Sequence, residues 1–417
     1  MTTIAEAKIK PAPGIDGVKA YSVPKHPAPI DLKLDANEGG APDAALLKRI
    51  QEIGPDVMRR YPDASAVQRL LAMRNGVEPA NLIVTAGADD ALDRLCRAVL
   101  APGRELLLTN PSFEMLPRYA RIAGASIHEV SWWSGAFPTD EMLREIKPNT
   151  ALIAMVSPNN PTGTVATRED FARLAEAAPQ AVILLDHAYV EFADEDMTSF
   201  ALQFPNAIVA RTLSKAWGLA GLRVGYAVSA NEELISWMRA SGGPYAVARP
   251  SIALAAARIE ADHGAMEKFV KQVRADRRAL GGVLDELGVR HSASEANFVF
   301  ITDSRALWIR DALASLGISI RAYSGDPVLG ESLRITCPGD EIQCQRLVRA
   351  LRTALKPSTQ GADEWIVCHT LDEVRSARAN GDVAIALVAD RGKADEFLRA
   401  GAARVVTDIK EMETFLQ

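Results

Sequence analysis

Thr212-Leu213-Ser214-Lys215-Ala216-Trp217-Gly218-Leu219-Ala220-Gly221-Leu222-Arg223 follows the short apolar run Ala207–Ala210. An apolar run of that length, closed by small hydroxyl residues and a glycine-containing turn, predicts a buried strand that delivers a loop at its carboxyl end. The same arrangement recurs upstream. Ala151–Val156 leads into Ser157-Pro158-Asn159-Asn160-Pro161-Thr162-Gly163, and Val182–Leu185 into Asp186-His187-Ala188-Tyr189. Leu82–Thr85 leads into Ala86-Gly87-Ala88, followed by a helical stretch Asp89–Leu100. Further apolar runs stand at Glu105–Leu108, Ser126–Val130 and Val224–Val228. Short apolar runs separated by helical segments predict a mostly parallel sheet covered on both faces. In such sheets ligands bind beyond the carboxyl ends of the strands.

The flanks read differently. The first thirty residues, with Pro11, Pro13, Pro24, Pro27 and Pro29, form an extended arm. Ala44–Ile53 and Ala64–Asn75 are helical in pattern, and Ser251–Leu287 reads as a long helical stretch with no Pro or Gly break until Gly264. Asn297–Ile301, Leu307–Leu316, Ile318–Arg321, Ser332–Thr336 and Asp340–Leu355 then read as strand, helix, strand, strand, helix, an α+β unit. Pro357–Asp363 has linker composition. Beyond it, Trp365–Cys368, Leu371–Ala379, Val383–Val388, Lys393–Ala400, Arg404–Val406 and a final helical stretch resemble half of a doubly wound unit.

With 417 residues the chain is too long for a single small core, and 48% hydrophobic with 24% charged residues is a folded composition. A net charge of -6 leaves no basic excess for a phosphate backbone or an anionic membrane, so neither nucleic acid nor membrane is an expected partner. No apolar stretch reaches spanning length, and the first ten residues lack a signal-peptide core. Cys96, Cys337, Cys344 and Cys368 are scattered without CxxC or zinc-ligand spacing. They read as reduced thiols in a cytoplasmic protein that holds no metal.

The strand ends carry the chemistry. A nucleophilic lysine must be neutral part of the time and close to an aldehyde. Hydroxyls at Thr212 and Ser214 and the guanidinium of Arg223 around Lys215 suit a phosphate beside such an aldehyde. Asn160 can donate to a phenolate oxygen. Asp186, an acid at the end of a buried strand, calls for a positive partner such as a protonated pyridine nitrogen, and Tyr189 can reach the same ring. Backbone N–H groups at Ala88 and Asp89 can hold a phosphate with the help of the helix dipole.

Taken in order and spacing, these strings resemble a fold type I aminotransferase of class I/II, and specifically the histidinol-phosphate aminotransferase family. Supporting strings are Leu34-Asp35-Ala36-Asn37-Glu38, Arg60-Tyr61-Pro62-Asp63, Asn110-Pro111-Ser112-Phe113, Ala296-Asn297-Phe298-Val299 and Leu333-Arg334-Ile335-Thr336. The resemblance covers roughly residues 30 to 356. It implies an α/β architecture with a large, mostly parallel sheet domain (46–289) and a smaller α+β domain (31–45 and 290–356). An arm (1–30) precedes them and an extra C-terminal βαβ-like unit (357–417) follows. It further implies a homodimer that uses pyridoxal 5'-phosphate (PLP) to transaminate an amino acid or amino-alcohol phosphate with 2-oxoglutarate. Transamination of an aromatic or other amino acid, and PLP-dependent amino-acid-phosphate decarboxylation, remain alternatives.

The implied roles attach to matching positions. Lys215 carries PLP as a Schiff base and moves the proton, Asp186 pairs with the pyridinium nitrogen, and Asn160 and Tyr189 hold the ring oxygen. Phe113 stacks on the ring. Ala88, Asp89, Thr212, Ser214 and Arg223 hold the phosphate, joined by Tyr61 from the neighbouring subunit. Arg334 clamps the substrate carboxylate, Arg321 contacts a distal phosphate, and Asn37 lies on the substrate side. The chain departs from the family pattern at His187 (commonly Glu), at Phe113 (often Tyr) and in the loop Ala322–Gly330. The tail around Leu398–Val406 faintly resembles the last segment of haloacid-dehalogenase-like phosphatases. It has no DxD pair, and a packing or oligomerisation role is expected of it.

Overall fold

The computed structural model describes residues 10–16, 18, 20, 25–355 and 364–412. The linker Pro357–Asp363 and most of the arm's first ten residues lie outside the described residues. Strand β1 (Leu32–Leu34) is followed by seven strands that form one sheet: β2 (Leu82–Thr85), β3 (Glu105–Asn110), β4 (Ser126–Ser131), β5 (Thr150–Val156), β6 (Val182–Asp186), β7 (Ala207–Thr212) and β8 (Gly225–Val228). Their spatial order is β2-β8-β7-β6-β5-β3-β4, with β8 antiparallel to both neighbours and the other pairs parallel. The central strands are buried over all or nearly all of their length, as expected of a sheet covered on both faces.

A second sheet has the order β1-β10-β11-β9, built from β9 (Phe298–Thr302), β10 (Ile318–Ala322) and β11 (Ser332–Thr336). The short strand β1 joins it by parallel pairing with β10, so residues 32–34 belong with a unit far downstream. A third sheet, β12 (Trp365–Cys368), β13 (Val383–Leu387) and β14 (Arg404–Val406), is parallel throughout.

The helices that matter below are α1 (Gly87–Val99), α2 (Arg249–Glu260), α3 (Ala265–Glu286), α4 (Ala306–Ser315), α5 (Glu341–Leu355), α6 (Leu371–Asn380) and α7 (Ala394–Ala400). The long helical stretch expected over Ser251–Leu287 is divided at Gly264, its first glycine, into α2 and α3. His263 and Gly264 both take positive φ (38° and 81°), which no continuous helix tolerates, and Asp262 accepts from the Met266 N–H at 3.1 Å to start the second helix.

The C-terminal sheet does not stand apart. Val383, Ile385, Ala403 and Val406 form one apolar cluster with Trp308 and Ala312 of α4 and Ala354 of α5. Trp308 and Trp365 meet edge to face at 4.6 Å. Their indole N–H groups donate to Ala354 O and Thr353 O, so both polar tips are satisfied, that of the buried Trp308 and that of the half-buried Trp365.

Candidate active site

Strand register gathers the strings. Val156 is the partner of Asp186, and Asp186 of Ala210. Thr212 is opposite Gly225, which is opposite Thr85. The loops after β5, β6, β7 and β2 therefore open side by side at one edge of the large sheet. Gly225 has to be glycine for this: a Cβ there would lie 2.4 Å from Gly87 C and 2.7 Å from Ala88 N.

A cavity of about 900 Å³ lies over that edge. Lys215, Asp186, Tyr189, Asn160 and Phe113 line it. So do Ala88, Asp89, Thr212, Ser214 and Arg223 on one side, and Asn37, Arg321 and Arg334 on the other. Tyr61 is not among these residues. It is 77% exposed and stacks on Tyr245 at 4.6 Å.

Lys215 Nζ donates to Ala36 O at 3.2 Å and lies 5.7 Å from the Tyr189 ring centre. Burial, reinforced by the charge of Arg334, lowers its pKa to about 8. Asp186 is 3% exposed, accepts from the Ala188 N–H at 3.2 Å, and is raised by burial to about 7. A carboxylate so placed is costly without a cation beside it, which fits a protonated ring nitrogen. Tyr189 Oη accepts from Asn37 Nδ2 at 3.0 Å and so keeps its own proton to donate.

The phosphate end fits equally well. Helix α1 begins at Gly87, two residues before the start expected from the sequence, and its N-cap Ala86 offers no side-chain cap. Ala88 and Asp89 therefore stand in an open first turn, where N–H groups favour an anion. Thr212 Oγ1 donates to Ser214 Oγ at 2.9 Å, setting both hydroxyls at one place. Arg223 takes a left-handed φ of 54° and returns its guanidinium over the helix start, 3.1 Å from Asp89 Oδ2. A Cβ at Gly87 would lie 2.6 Å from that guanidinium.

The opposite wall comes from the second sheet. Arg334 Nη1 donates to Asn160 Oδ1 at 2.6 Å and Nη2 to Asp35 O at 2.9 Å. Arg321 is its direct antiparallel partner. The Arg321 guanidinium lies 5.3 Å from the Tyr323 ring centre and 3.8 Å from Glu114.

Sequence reasoning missed Tyr323, Tyr119 and Glu114, which also line the cavity. Tyr323 follows Arg321 by two residues, so strand alternation was a usable signal for it. The departure at His187 has a structural explanation. The ring is buried, Nδ1 pairs with Ser157 O, and Nε2 accepts from the Met197 N–H at 3.3 Å. Burial lowers its pKa to about 4, so it is a neutral tie between the β6 loop and the β5 loop.

The family model "Aminotransferase class I and II" matches residues 31–351. A histidinol-phosphate aminotransferase from Caldanaerobacter subterraneus subsp. tengcongensis is 32% identical over 351 residues, covering 82% of this chain and 97% of that protein. One from Thermoanaerobacter sp. (strain X514) is 33% identical over 330 residues, covering 77% and 92%. Among solved structures, histidinol-phosphate aminotransferase from Sinorhizobium meliloti in complex with pyridoxal-5'-phosphate has TM-score 0.71 and 24% identity, covering 84% of this chain and 99% of that one. Aspartate aminotransferase from Thermus thermophilus with maleate has TM-score 0.65 and 23% identity, covering 78% and 92%. These structural likenesses are likenesses of fold.

Proposed function

Because the chain belongs to the class I and II aminotransferases, we propose that it moves an amino group between histidinol phosphate and 2-oxoglutarate. The observation that carries the substrate is the pairing of Arg321 with Arg334 across β10 and β11. Direct antiparallel partners project from the same face, so two guanidinium groups stand side by side over one cavity. Glutamate offers a carboxylate on Cα, whereas histidinol phosphate carries a phosphate ester extending further out from the same carbon. Arg334 suits the first anion, and Arg334 with Arg321 suits the second, larger one.

Bound PLP supplies an electron sink for the charge left when the Cα–H bond ionises. Lys215 takes that proton and returns it, with an amine whose lowered pKa makes the base form accessible near neutrality. Asp186 keeps a ring cation beside it. Tyr189 and Asn160 orient the ring oxygen: Asn37 fixes the first, and Arg334 holds Asn160 Oδ1, leaving the amide N–H to donate. Phe113, which lines the cavity, would stack on the ring face. The open turn at Ala88 and Asp89, with Thr212, Ser214 and Arg223, holds the phosphate.

Tyr61, exposed on one chain and paired with Tyr245, serves the neighbouring site in a homodimer. Four buried free thiols support a reducing, cytoplasmic setting. We assign 31–45 and 290–356 to one domain and 46–289 to another, a reading supported by the two separate sheets that face the cavity.

The test is to mix purified protein, PLP, histidinol phosphate and 2-oxoglutarate and to measure glutamate. Glutamate formation supports the reading. Glutamate formed from phenylalanine but not from histidinol phosphate would replace the substrate, and carbon dioxide without glutamate would replace the reaction.

A further inference from the structure

The matched family residues end at 351, before the third sheet begins at Trp365. That sheet and its helices touch the chain at one informative place. Arg378 of α6 donates through Nη1 to Ser315 O at 2.9 Å, at the end of α4, and through Nη2 to Pro29 O at 2.5 Å. The same Nη2 lies 3.8 Å from Asp31 Oδ1. Arg346 of α5 forks onto Asp31 at 2.5 and 3.0 Å and also donates to Leu316 O. Gly317 sits inside this knot with φ 84°. A Cβ there would lie 2.1 Å from Asp31 Oδ1, 2.8 Å from Arg346 Nη2 and 3.0 Å from Arg378 Nη2. Five residues upstream of Asp31, the imidazole of His26 pairs with Ala403 O at 3.0 Å and accepts from the Ala28 N–H, so a second tie runs to the same C-terminal unit.

The place is informative because two strands start at the knot. Asp31 opens β1, whose continuation brings Asp35 O to Arg334, Ala36 O to Lys215 and Asn37 to Tyr189. Gly317 immediately precedes β10, which carries Arg321 near its end and is followed by Tyr323. The far end of the first strip is already fixed: a Cβ on Gly39 would lie 1.8 Å from Lys215 O. The strip from 26 to 39 is therefore held by the lysine loop at one end and by the C-terminal unit and Arg346 at the other, with β1 paired to β10 between them, and part of it forms the cavity wall.

We propose that the C-terminal unit positions the substrate wall of the active site, with Arg378 as the positioning residue that ties the starts of β1 and β10. The part of this that concerns substrate rests on the aminotransferase reading. The tie itself does not.

The experiment uses the full chain and three variants, Arg378→Ala, Arg378→Lys and Thr370→Ala. Thr370 caps the same helix through a reciprocal capping box and touches neither strand, so it reports general loosening of the unit. In cofactor-free protein, Arg378→Ala should speed amide hydrogen exchange about tenfold or more across 31–37 and 318–322, the scale of a lost charge-assisted bond. Thr370→Ala should leave both segments unchanged. With PLP present, Arg378→Ala should raise KM for histidinol phosphate and glutamate about 5- to 20-fold at nearly unchanged kcat, and Arg378→Lys should recover part of it. Unchanged exchange in the two segments, equal changes in Thr370→Ala, or faster exchange at unaltered KM would each overturn the proposal. A wild-type protein with no aminotransferase turnover would instead remove the functional reading, and the exchange arm would still judge the tie.

Discussion

Arg334 Nη1 donates to Asn160 Oδ1 at 2.6 Å, joining a strand of the second sheet to the loop that follows β5 of the first. One guanidinium thus closes the cavity from across the two sheets while Nη2 holds Asp35 O. The fork geometry serves both acceptors at once, which an ammonium on a flexible stem does not. Arg334→Lys should raise KM for glutamate about 10- to 100-fold, because the carboxylate clamp and the orientation of Asn160 are lost together. Steady-state kinetics with glutamate as donor check this, and an unchanged KM would place the carboxylate elsewhere.

Asp186 and His187 are neighbours whose burial gives stability opposite dependences on pH. The Asp186 carboxyl is raised to about 7, so the folded state binds its proton more tightly than the unfolded chain does, and this contribution falls as pH rises from about 4 to 7. His187 is lowered to about 4, so its contribution rises with pH between about 4 and 6.5. In cofactor-free protein the two slopes oppose each other. Relative to wild type, Asp186→Asn should gain stability as pH rises through this window, and His187→Asn should lose it. Denaturant midpoints measured at several pH values read both differences. Parallel curves for all three proteins would mean that neither group titrates as its burial demands.

With PLP bound, Asp186→Ala should lower kcat on the order of 10²–10³, the scale of removing a preorganised electrostatic partner. A near-normal kcat would reduce Asp186 to a partner of the Ala188 N–H.

Lys215 provides a pH signature of its own. Its amine is lowered to about 8, so the neutral form grows with pH up to about that value and changes little above it. The rate at which cofactor-free protein captures PLP covalently should climb about tenfold per pH unit below 8 and then level off. Stopped-flow absorbance measures it. A climb that continues past pH 10 would mean an unperturbed amine. Lys215→Ala should abolish capture and turnover with the fold intact.

Much of the large sheet was legible because most of its strands are apolar runs that end abruptly in small, polar or turn-forming residues, and the ends of β2, β5, β6 and β7 are the cavity edge. Local pattern carries that information, whereas contacts between distant segments leave no such trace. The break at His263 and Gly264 depends on two left-handed residues inside an otherwise helical composition. The packing of Trp308 on Trp365 and the knot around Gly317 join segments that no periodicity links. His187 was visible as a departure, but its use as a neutral tie between Ser157 and Met197 required the loops to be in place.

Arg321 decides the class of substrate. It stands opposite Arg334 on the same face of the second sheet, with its guanidinium near the Tyr323 ring and Glu114 at 3.8 Å. If it binds the phosphate of an amino-alcohol phosphate, Arg321→Ala should cut kcat/KM for histidinol phosphate about 10- to 150-fold, the range of one charge-assisted contact. The loss on glutamate, whose Cα carboxylate is served by Arg334, should stay within about threefold. Glu114 adds a second arm, since a carboxylate beside Arg321 competes with an incoming dianion. Glu114→Gln should therefore lower KM for the phosphorylated substrate and leave glutamate unaffected, more so at low ionic strength, where charges at a half-exposed site are least screened. Equal losses on both substrates in Arg321→Ala, with no effect of Glu114→Gln, would make the pair of arginines a carboxylate site and turn the search toward unphosphorylated amino acids.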